Sequence, residues 1–285
     1  MAANYKAELV GALGYPIAEN PTGVMQEAAF AALGLNWRYL LFEVGPNDLA
    51  DAIRGVRALG MRGINLTIPH KVAVIPLLDD IATDAQIIGA VNTVYREGDR
   101  LIGANTDGKG FLRGLREAAI DPKGKRVAVL GAGGAARAIT FELAFAGASG
   151  ITVINRTTER GGKLVESLRE DTSAAVQFVP WTESYSVPPE IDILVNATSI
   201  GLYPDVDALP RISLDQARSD LFVCDVIPNP PDTRLMQLAR SRGLRTLNGL
   251  SMLVHQGTIG FELWTGQSAP EAVMKEALRK AFATN

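Results

Sequence analysis

The chain has 285 residues, with 28 basic and 31 acidic side chains and a formal net charge of −3. This balance excludes a strongly basic surface, so nucleic acid is not expected as a main ligand. Cys224 is the only cysteine, which excludes an internal disulfide and a cysteine-rich zinc site. No apolar stretch reaches the length of about 20 residues that a transmembrane helix needs. Because the N-terminus also does not resemble a signal peptide, we expect a cytoplasmic protein.

The first hundred residues alternate between strand and helix patterns. Short apolar and β-branched runs predict strands at 8–13, 37–44, 61–68, 89–95 and 101–105. Apolar residues at helical spacing predict helices after Thr22, at 48–59, at 72–78 and at 81–87. This alternation is typical of a mainly parallel α/β sheet with one short hairpin around Gly98.

A glycine turn between a strand and a helix organises the second half of the chain. The apolar run 127–130 predicts a buried strand, and Ile139 and Leu143 continue at helical spacing. Glycines between a strand and a helix bring a dinucleotide pyrophosphate to the N-terminus of that helix. An ordinary glycine turn is the alternative, but the order of strand, turn and helix favours a nucleotide site. The residues predicted to bind the cofactor here are Gly131, Ala132, Gly133, Gly134 and Ala135.

The end of the next strand indicates which dinucleotide binds. In NAD-binding folds an acidic residue about 20 residues after the glycines holds the ribose 2′-hydroxyl. Here Asn155 takes that place, followed by Arg156 and Thr157, with Arg160 one helical turn later. A guanidinium can bind a 2′-phosphate that a carboxylate would repel. We therefore predict NADP as the cofactor, held by these four residues. The alternative is that the two arginines only begin a solvated helix and bind no phosphate.

The remaining pattern predicts two domains of the α/β class. Further strands are predicted at 151–154, 175–179, 191–195, 221–226 and 245–247, and helices at 111–119, 164–168, 233–242, 252–264 and 270–282. The expected architecture is a mainly parallel α/β substrate domain over 1–107 and an NADP-binding Rossmann domain over 108–243. Residues 244–285 are predicted to form C-terminal helices that return to the first domain.

Residues capable of acid–base chemistry follow two strands of the first domain. Lys71 ends the segment Asn-Leu-Thr-Ile-Pro-His-Lys at 65–71, and Asp107 lies in the segment 105–108. Open α/β sheets place ligands at the carboxyl ends of strands. A lysine beside an aspartate there can give a proton to a developing alkoxide during carbonyl reduction and take it back in reverse. Taken alone, Lys71 is more typical of a solvated helix start, and Asp107 of a turn cap.

The chain resembles the shikimate dehydrogenase family along almost its whole length. The segments that carry the resemblance are 65–71, 89–93, 105–108, 131–138, 155–157, 196–199 and 252–256. The resemblance implies reversible NADP-linked oxidation of the ring hydroxyl of shikimate to 3-dehydroshikimate, with Lys71 and Asp107 as the catalytic pair. The residues that it implies for the substrate are Thr67, Asn92 and Gln256, and those that it implies near the nicotinamide half of the cofactor are Thr198, Ser199 and Gly249.

The resemblance breaks where the family holds the carboxylate of the substrate. The family usually has two serines, spaced Ser-x-Ser, where this chain has Asn20 and Thr22, and commonly a tyrosine where it has Pro228. Asn20 and Thr22 keep a hydrogen-bond donor and are still expected to bind the substrate, whereas Pro228 has neither hydroxyl nor N–H. We hypothesise an altered preference, for quinate or another substituted cyclohexane carboxylate. An unchanged preference for shikimate is the alternative.

Two other functions stay open from the sequence alone. A methylenetetrahydrofolate-type dehydrogenase also carries a lysine in its first domain, but it does not explain the segment 105–108 together with Gln256. A non-catalytic NADP-binding sensor has only the changed serine pair in its favour. The expected partner is a small-molecule substrate, with no nucleic acid, membrane or metal, and the protein is expected to be a monomer or a homodimer.

Overall fold

Two six-stranded sheets, each in its own unit, form the framework of the computed structural model, which describes residues 5–283. The described residues up to Thr106 and those from Val254 onward make up the first unit. Asp107–Leu253 make up the second unit. The two-domain α/β fold class predicted from the sequence is confirmed. Within residues 5–283, no helix is both long enough and apolar enough to cross a membrane.

The elements alternate along the chain. Up to Thr106 they are β1 (Glu8–Gly14), α1 (Thr22–Ala32), β2 (Trp37–Glu43), α2 (Leu49–Ala58), β3 (Gly63–Leu66), α3 (His70–Ala73), β4 (Asp80–Ile81), α4 (Thr83–Ile88), β5 (Thr93–Glu97) and β6 (Arg100–Ala104). After it they are α5 (Asp107–Glu117), β7 (Arg126–Leu130), α6 (Gly134–Phe145), β8 (Gly150–Asn155), α7 (Thr158–Asp171), β9 (Ala175–Pro180), β10 (Tyr185–Ser186), β11 (Ile193–Asn196), β12 (Ile212–Ser213), β13 (Phe222–Asp225), α8 (Arg234–Ser241), β14 (Arg245–Leu247), α9 (Gly249–Thr265) and α10 (Glu271–Ala283).

The two sheets differ in strand direction. The first has the order β2-β1-β3-β5-β6-β4, in which β5 runs antiparallel to both of its neighbours and the other pairs are parallel. The second has the order β14-β13-β11-β7-β8-β9 and is parallel throughout. Strands buried on both faces read as continuous apolar runs, as β7 and β11 do. Parallel strands end at one edge, so the loops after β7, β8, β11 and β13 share that edge.

Local boundaries differ from the sequence pattern where turns override it. The strand predicted from residue 89 begins only at Thr93, because Gly89 has a φ of +67° and ends α4 in the left-handed conformation. Ile81, predicted as helical, lies instead in β4 and pairs with Gly103 of β6. The helix predicted from residue 111 already begins at Asp107. The two-residue strands β10 and β12 have no counterpart in the sequence pattern, since two residues show no periodicity.

Residues of α9 from Val254 onward pack into the first unit through close contacts at glycines. A Cβ on Gly63 would lie 2.3 Å from Nε1 of Trp264, and that nitrogen donates to the carbonyl oxygen of Val94 at 2.9 Å. Gln26 of α1 donates to the carbonyl oxygen of Gly257 at 2.9 Å. A glycine in β3 is therefore needed where the indole of Trp264 meets the sheet.

A buried carboxylate joins two loops at the carboxyl edge of the second sheet. Asp225, at the end of β13, accepts hydrogen bonds from Nδ2 of Asn196 (3.1 Å), the hydroxyl of Thr233 (2.7 Å) and the N–H of Ile227 (3.1 Å). Asn196 ends β11, and Thr233 caps α8. Burial raises the pKa of Asp225 to about 6, against the lowering effect of these three donors. The carboxylate thus fixes the loops that follow β11 and β13.

Replacing Asp225 with Asn should change how stability depends on pH. Because the pKa of Asp225 is about 6 in the folded protein and near 3.8 in an ordinary environment, the folded state binds the proton more tightly. Its contribution to the free energy of unfolding therefore increases as the pH falls from 6 towards 4, by up to about 3 kcal/mol. Urea unfolding of wild type and Asp225→Asn at pH 5 and pH 7.5 measures this difference.

Asp220→Asn provides the matched control for that experiment. Asp220 is exposed, and the guanidinium of Arg218 lowers its pKa. We expect no increase in the stability of the wild type relative to Asp220→Asn as the pH falls. Identical pH dependence in wild type and Asp225→Asn would contradict the prediction.

Candidate active site

A buried hydrogen-bond network crosses the carboxyl edge of the first sheet. Asn65, in β3, donates to the carbonyl oxygen of Asn92 (3.2 Å) and to the hydroxyl of Thr93 (3.0 Å). Asn92 donates to the Thr106 hydroxyl (2.9 Å) and accepts from the Thr106 N–H (2.7 Å). The Thr106 hydroxyl lies 3.5 Å from the side-chain oxygen of Gln256. The structure therefore brings Asn92 and Gln256, both predicted to bind substrate, into one network.

The same network extends to Tyr39 in β2. The hydroxyl of Tyr39 donates to Oδ1 of Asn65 at 2.8 Å. Burial raises the pKa of Tyr39 well above its usual value, so its hydroxyl stays protonated. Asn20 is half-buried, and its Oδ1 accepts the N–H of Thr22 at 2.9 Å. Thr22 is buried, and among the described residues the structure shows no hydrogen bond from the Asn20 or Thr22 side chain to the Asn92 network.

Thr67 lies in the loop after β3, and Lys71 lies in the short helix α3 that follows it. Thr67 donates its N–H to the carbonyl oxygen of Leu13 (3.0 Å), and its own carbonyl accepts the N–H of His70 (2.8 Å). The ring of His70 is buried, with Nε2 2.8 Å from the carbonyl oxygen of Val44. Since a carbonyl only accepts, Nε2 carries the hydrogen. His70 thus anchors the segment that presents the half-buried side chains of Thr67 and Lys71.

Asp107 is the first residue of α5 and follows Thr106 directly in the chain. Its side chain is buried. A Cβ on Gly108 would lie 2.4 Å from the carbonyl oxygen of Ala138, so the glycine lets α5 approach α6 closely. Asp107 belongs to the second unit and Lys71 to the first, so their joint action stays a prediction.

The glycine turn after β7 has the geometry of a phosphate cradle. Gly131 has a φ of +110°, and a Cβ there would lie 2.9 Å from the carbonyl oxygen of Ala197. Gly133 is exposed, and a Cβ on it would meet no atom within 4 Å, so its backbone is open to a ligand. Gly134 begins α6, whose first turn has no acidic residue. With the half-buried Ala132 and Ala135, these N–H groups suit a pyrophosphate at a helix N-terminus.

The loop after β8 supplies cations. The Asn155 carboxamide donates to the carbonyl oxygen of Thr157 at 2.9 Å, which closes a turn. Arg156 and Thr157 are exposed, and Arg160 lies on the exposed face of the first turn of α7. No acidic residue lies between Asn155 and Thr158 to repel a phosphate. The donor set therefore fits a cofactor with a 2′-phosphate.

Thr198, Ser199 and Gly249 belong to the second unit, near the buried Asp225. The Thr198 hydroxyl donates to Oδ1 of Asn196 at 2.7 Å and accepts the N–H of Ile200 at 3.1 Å. Ser199 is exposed. A Cβ on Gly249 would lie 2.3 Å from the carbonyl oxygen of Ile227. Packing against this backbone is enough to require glycine at 249, and its contact with a nicotinamide stays a prediction.

Four residues of the network were not predicted from the sequence to belong to the substrate site. They are Tyr39, Asn65, Thr93 and Thr106. Asn65 and Thr106 lie inside segments that the sequence singled out. Tyr39 lies in a strand whose pattern indicates only burial. Among residues 5–283, no group of three or more His, Cys, Asp or Glu side chains could hold a metal ion.

Three family models match the chain in succession. They are the shikimate dehydrogenase substrate binding domain at residues 12–94, the shikimate/quinate 5-dehydrogenase at 115–234 and the shikimate 5′-dehydrogenase C-terminal domain at 249–279. The NADP-dependent shikimate dehydrogenase of Methanopyrus kandleri is 44% identical over 98% of this chain and 97% of its own.

Solved structures agree over nearly the full length. The ligand-free 5-ketofructose reductase of Gluconobacter sp. strain CHM43 is 45% identical with a TM-score of 0.91, and the match covers 98% of this chain and 100% of that one. Shikimate 5-dehydrogenase of Thermus thermophilus, in complex with NADP(H) and shikimate, is 37% identical with a TM-score of 0.86, over 96% and 99%. On both sequence and structure, the chain belongs to the shikimate dehydrogenase family.

Proposed function

We propose that the protein catalyses the reversible NADP-dependent oxidation of shikimate to 3-dehydroshikimate, or of a closely related hydroxylated cyclohexane or cyclohexene carboxylate. The observation that carries the proposal is the near full-length identity of 44% to an NADP-dependent shikimate dehydrogenase. The open backbone at Gly133 and the cationic loop after Asn155 support NADP. A cytoplasmic location and the choice between monomer and homodimer stay predictions.

In this mechanism Lys71 and Asp107 accept and donate the proton, and the polar network orients the substrate ring. Bound NADP supplies the hydride acceptor in one direction and the hydride donor in the other. As the C–H bond of the alcohol carbon breaks, the hydroxyl proton passes to the Lys71–Asp107 pair and a ketone forms. Asn92, Gln256 and Thr67 hold the neighbouring hydroxyls. Alignment of hydride donor and acceptor contributes the rest of the rate.

Lys71→Met and Asp107→Asn should each lower kcat for shikimate oxidation by about 10²- to 10⁴-fold, because each removes a proton-transfer group. KM for NADP⁺ should change little. Initial rates at saturating NADP⁺ measure the effect, with Lys163→Met as control, since Lys163 is exposed and pairs only with Glu159 on α7. A variant that keeps wild-type kcat would remove that residue from the catalytic pair. A wild type that binds NADP but turns over no cyclic hydroxy acid would support the sensor hypothesis instead.

The double variant Arg156→Ala/Arg160→Ala should bind NADP⁺ much more weakly than the wild type does, with little change in the binding of NAD⁺. Each guanidinium lost from a phosphate removes a charge-assisted hydrogen bond, so KM for NADP⁺ should rise by about 10- to 100-fold. KM for NAD⁺ should stay within about twofold, since NAD⁺ has no 2′-phosphate. Steady-state kinetics with both cofactors measure the ratio. Equal losses for the two cofactors would refute the assignment of these arginines to the 2′-phosphate.

A second candidate function is the reduction of a neutral keto-sugar. Because the Asn92 carbonyl only accepts, the NH₂ group of Asn65 faces it and Oδ1 of Asn65 faces Tyr39. Tyr39 donates its one hydroxyl hydrogen to that oxygen, so its own oxygen is left only as an acceptor for any further partner. The side chains of this network are neutral, which suits a substrate that carries hydroxyls.

The 45% identity to a 5-ketofructose reductase agrees with such a substrate, which carries hydroxyls and no carboxylate. The half-buried Pro228 supplies no hydrogen bond from its side chain. Kinetic comparison of shikimate and quinate with NADP⁺ against 5-ketofructose with NADPH separates the candidates. If the neutral sugar is the preferred substrate, kcat/KM should be at least about tenfold higher for it, the cost of one unmatched polar contact. A preference for shikimate over both others would reject the second candidate and the altered-specificity hypothesis.

A further inference from the structure

A small hollow lies beside the loop that follows β8 in the second unit. It has a volume of about 100 Å³ and is lined by Arg156, Trp181, Ile200, Leu209 and Arg211. Arg156 is one of the residues predicted to bind the 2′-phosphate. Arg211 lies far along the chain from it, just before β12, and no sequence pattern connects the two.

The buried indole of Trp181 holds Arg211 next to this loop. The N–H of Trp181 donates to the carbonyl oxygen of Asn155 at 3.0 Å, which continues the pairing of β8 with β9. Its Nε1 donates to the carbonyl oxygen of Arg211, also at 3.0 Å. Trp181 therefore ties the backbone of Arg211, through its indole, to Asn155, through its own backbone N–H. The position of Arg211 at the hollow is set by the core.

The arginines at the hollow lack a counter-charge among the described residues. Within residues 5–283 the guanidinium groups of Arg156 and Arg211 form neither an ion pair nor a side-chain hydrogen bond. Four other arginines of the second unit are paired with carboxylates. These pairs are Arg218–Asp220, Arg234–Asp207, Arg240–Asp232 and Arg242–Asp215. Two uncompensated guanidiniums on one hollow repel each other, and a bound dianion relieves that repulsion.

We propose that Arg211 is a cofactor-specificity residue that binds the 2′-phosphate of NADP together with Arg156. The ligand chemistry is a phosphate monoester on a ribose, which two guanidiniums can hold with bidentate hydrogen bonds. The apolar side chains of Ile200 and Leu209 lower the local dielectric constant and strengthen the attraction. This inference rests on the proposed use of NADP and adds a residue that neither the glycine turn nor the segment 155–160 contains.

Binding of two nucleotide fragments tests the proposal without any substrate. We expect Arg211→Ala to lower the affinity for 2′,5′-ADP by about 10- to 100-fold, because a charge-assisted hydrogen bond is lost. The affinity for 5′-AMP, which lacks the 2′-phosphate, should stay within about twofold. Titration calorimetry on wild type, Arg211→Ala, Arg156→Ala and Arg211→Lys measures both. Arg211→Lys keeps the charge and should recover part of the loss.

Arg242→Ala is the matched control, because Arg242 is an exposed arginine of the same unit that pairs with Asp215 at 2.6 Å. Unchanged binding of 2′,5′-ADP by Arg211→Ala would overturn the proposal, and so would equal losses for both fragments. A wild type that prefers 2′,5′-ADP over 5′-AMP, with the preference lost in Arg211→Ala, supports it even if shikimate is not oxidised. The proposal for Arg211 and the proposal for the substrate can therefore be refuted independently of each other.

Discussion

The carbonyl oxygen of Asn92 sets the direction of the hydrogen bonds between it and Tyr39. A buried polar group needs a partner, and a carbonyl can only accept. This fixes which end of the Asn65 side chain faces Asn92, and therefore which end faces Tyr39. Tyr39 must therefore donate to Asn65. The polarity of a group in the proposed substrate site is thus decided by a backbone atom of a different segment.

The second unit applies the same rule with a charge at its centre. The carboxylate of Asp225 has no hydrogen to give, so the amide of Asn196 must turn its NH₂ group towards it. The oxygen of Asn196 then faces Thr198 and accepts its hydroxyl. A charged acceptor costs more to bury than a neutral one, as its raised pKa shows. In return it fixes two loops, of which the first bears Thr198 and Ser199 and the second packs against Gly249 through Ile227.

Much of this arrangement could be predicted from the sequence, because local chemistry dictates it. The glycine turn after β7, the absence of an acid at Asn155 and the alternation of strands and helices follow from residue types at short spacing. Tyr39 could not be predicted as part of the site, since its strand pattern reports burial and not the partner of its hydroxyl. Arg211 could not be predicted either. Its place depends on the indole of Trp181, which follows β9 and contacts Arg211 only after the core has formed.

The proposed cofactor site and the network around Asn92 use different physics. The hollow beside the loop after β8 carries the guanidiniums of Arg156 and Arg211, so attraction there is electrostatic and weakens as salt screens it. The network around Asn92 consists of neutral amides and hydroxyls with assigned donors and acceptors, so recognition there depends on the pattern of hydrogen bonds. A neutral network can exchange one substrate for another by reversing a single hydroxyl, without altering the fold. The departures at Asn20, Thr22 and Pro228 fall among residues predicted on the substrate side, while the glycine turn and the cationic loop keep their pattern. Substrate choice in this fold can therefore change independently of cofactor choice.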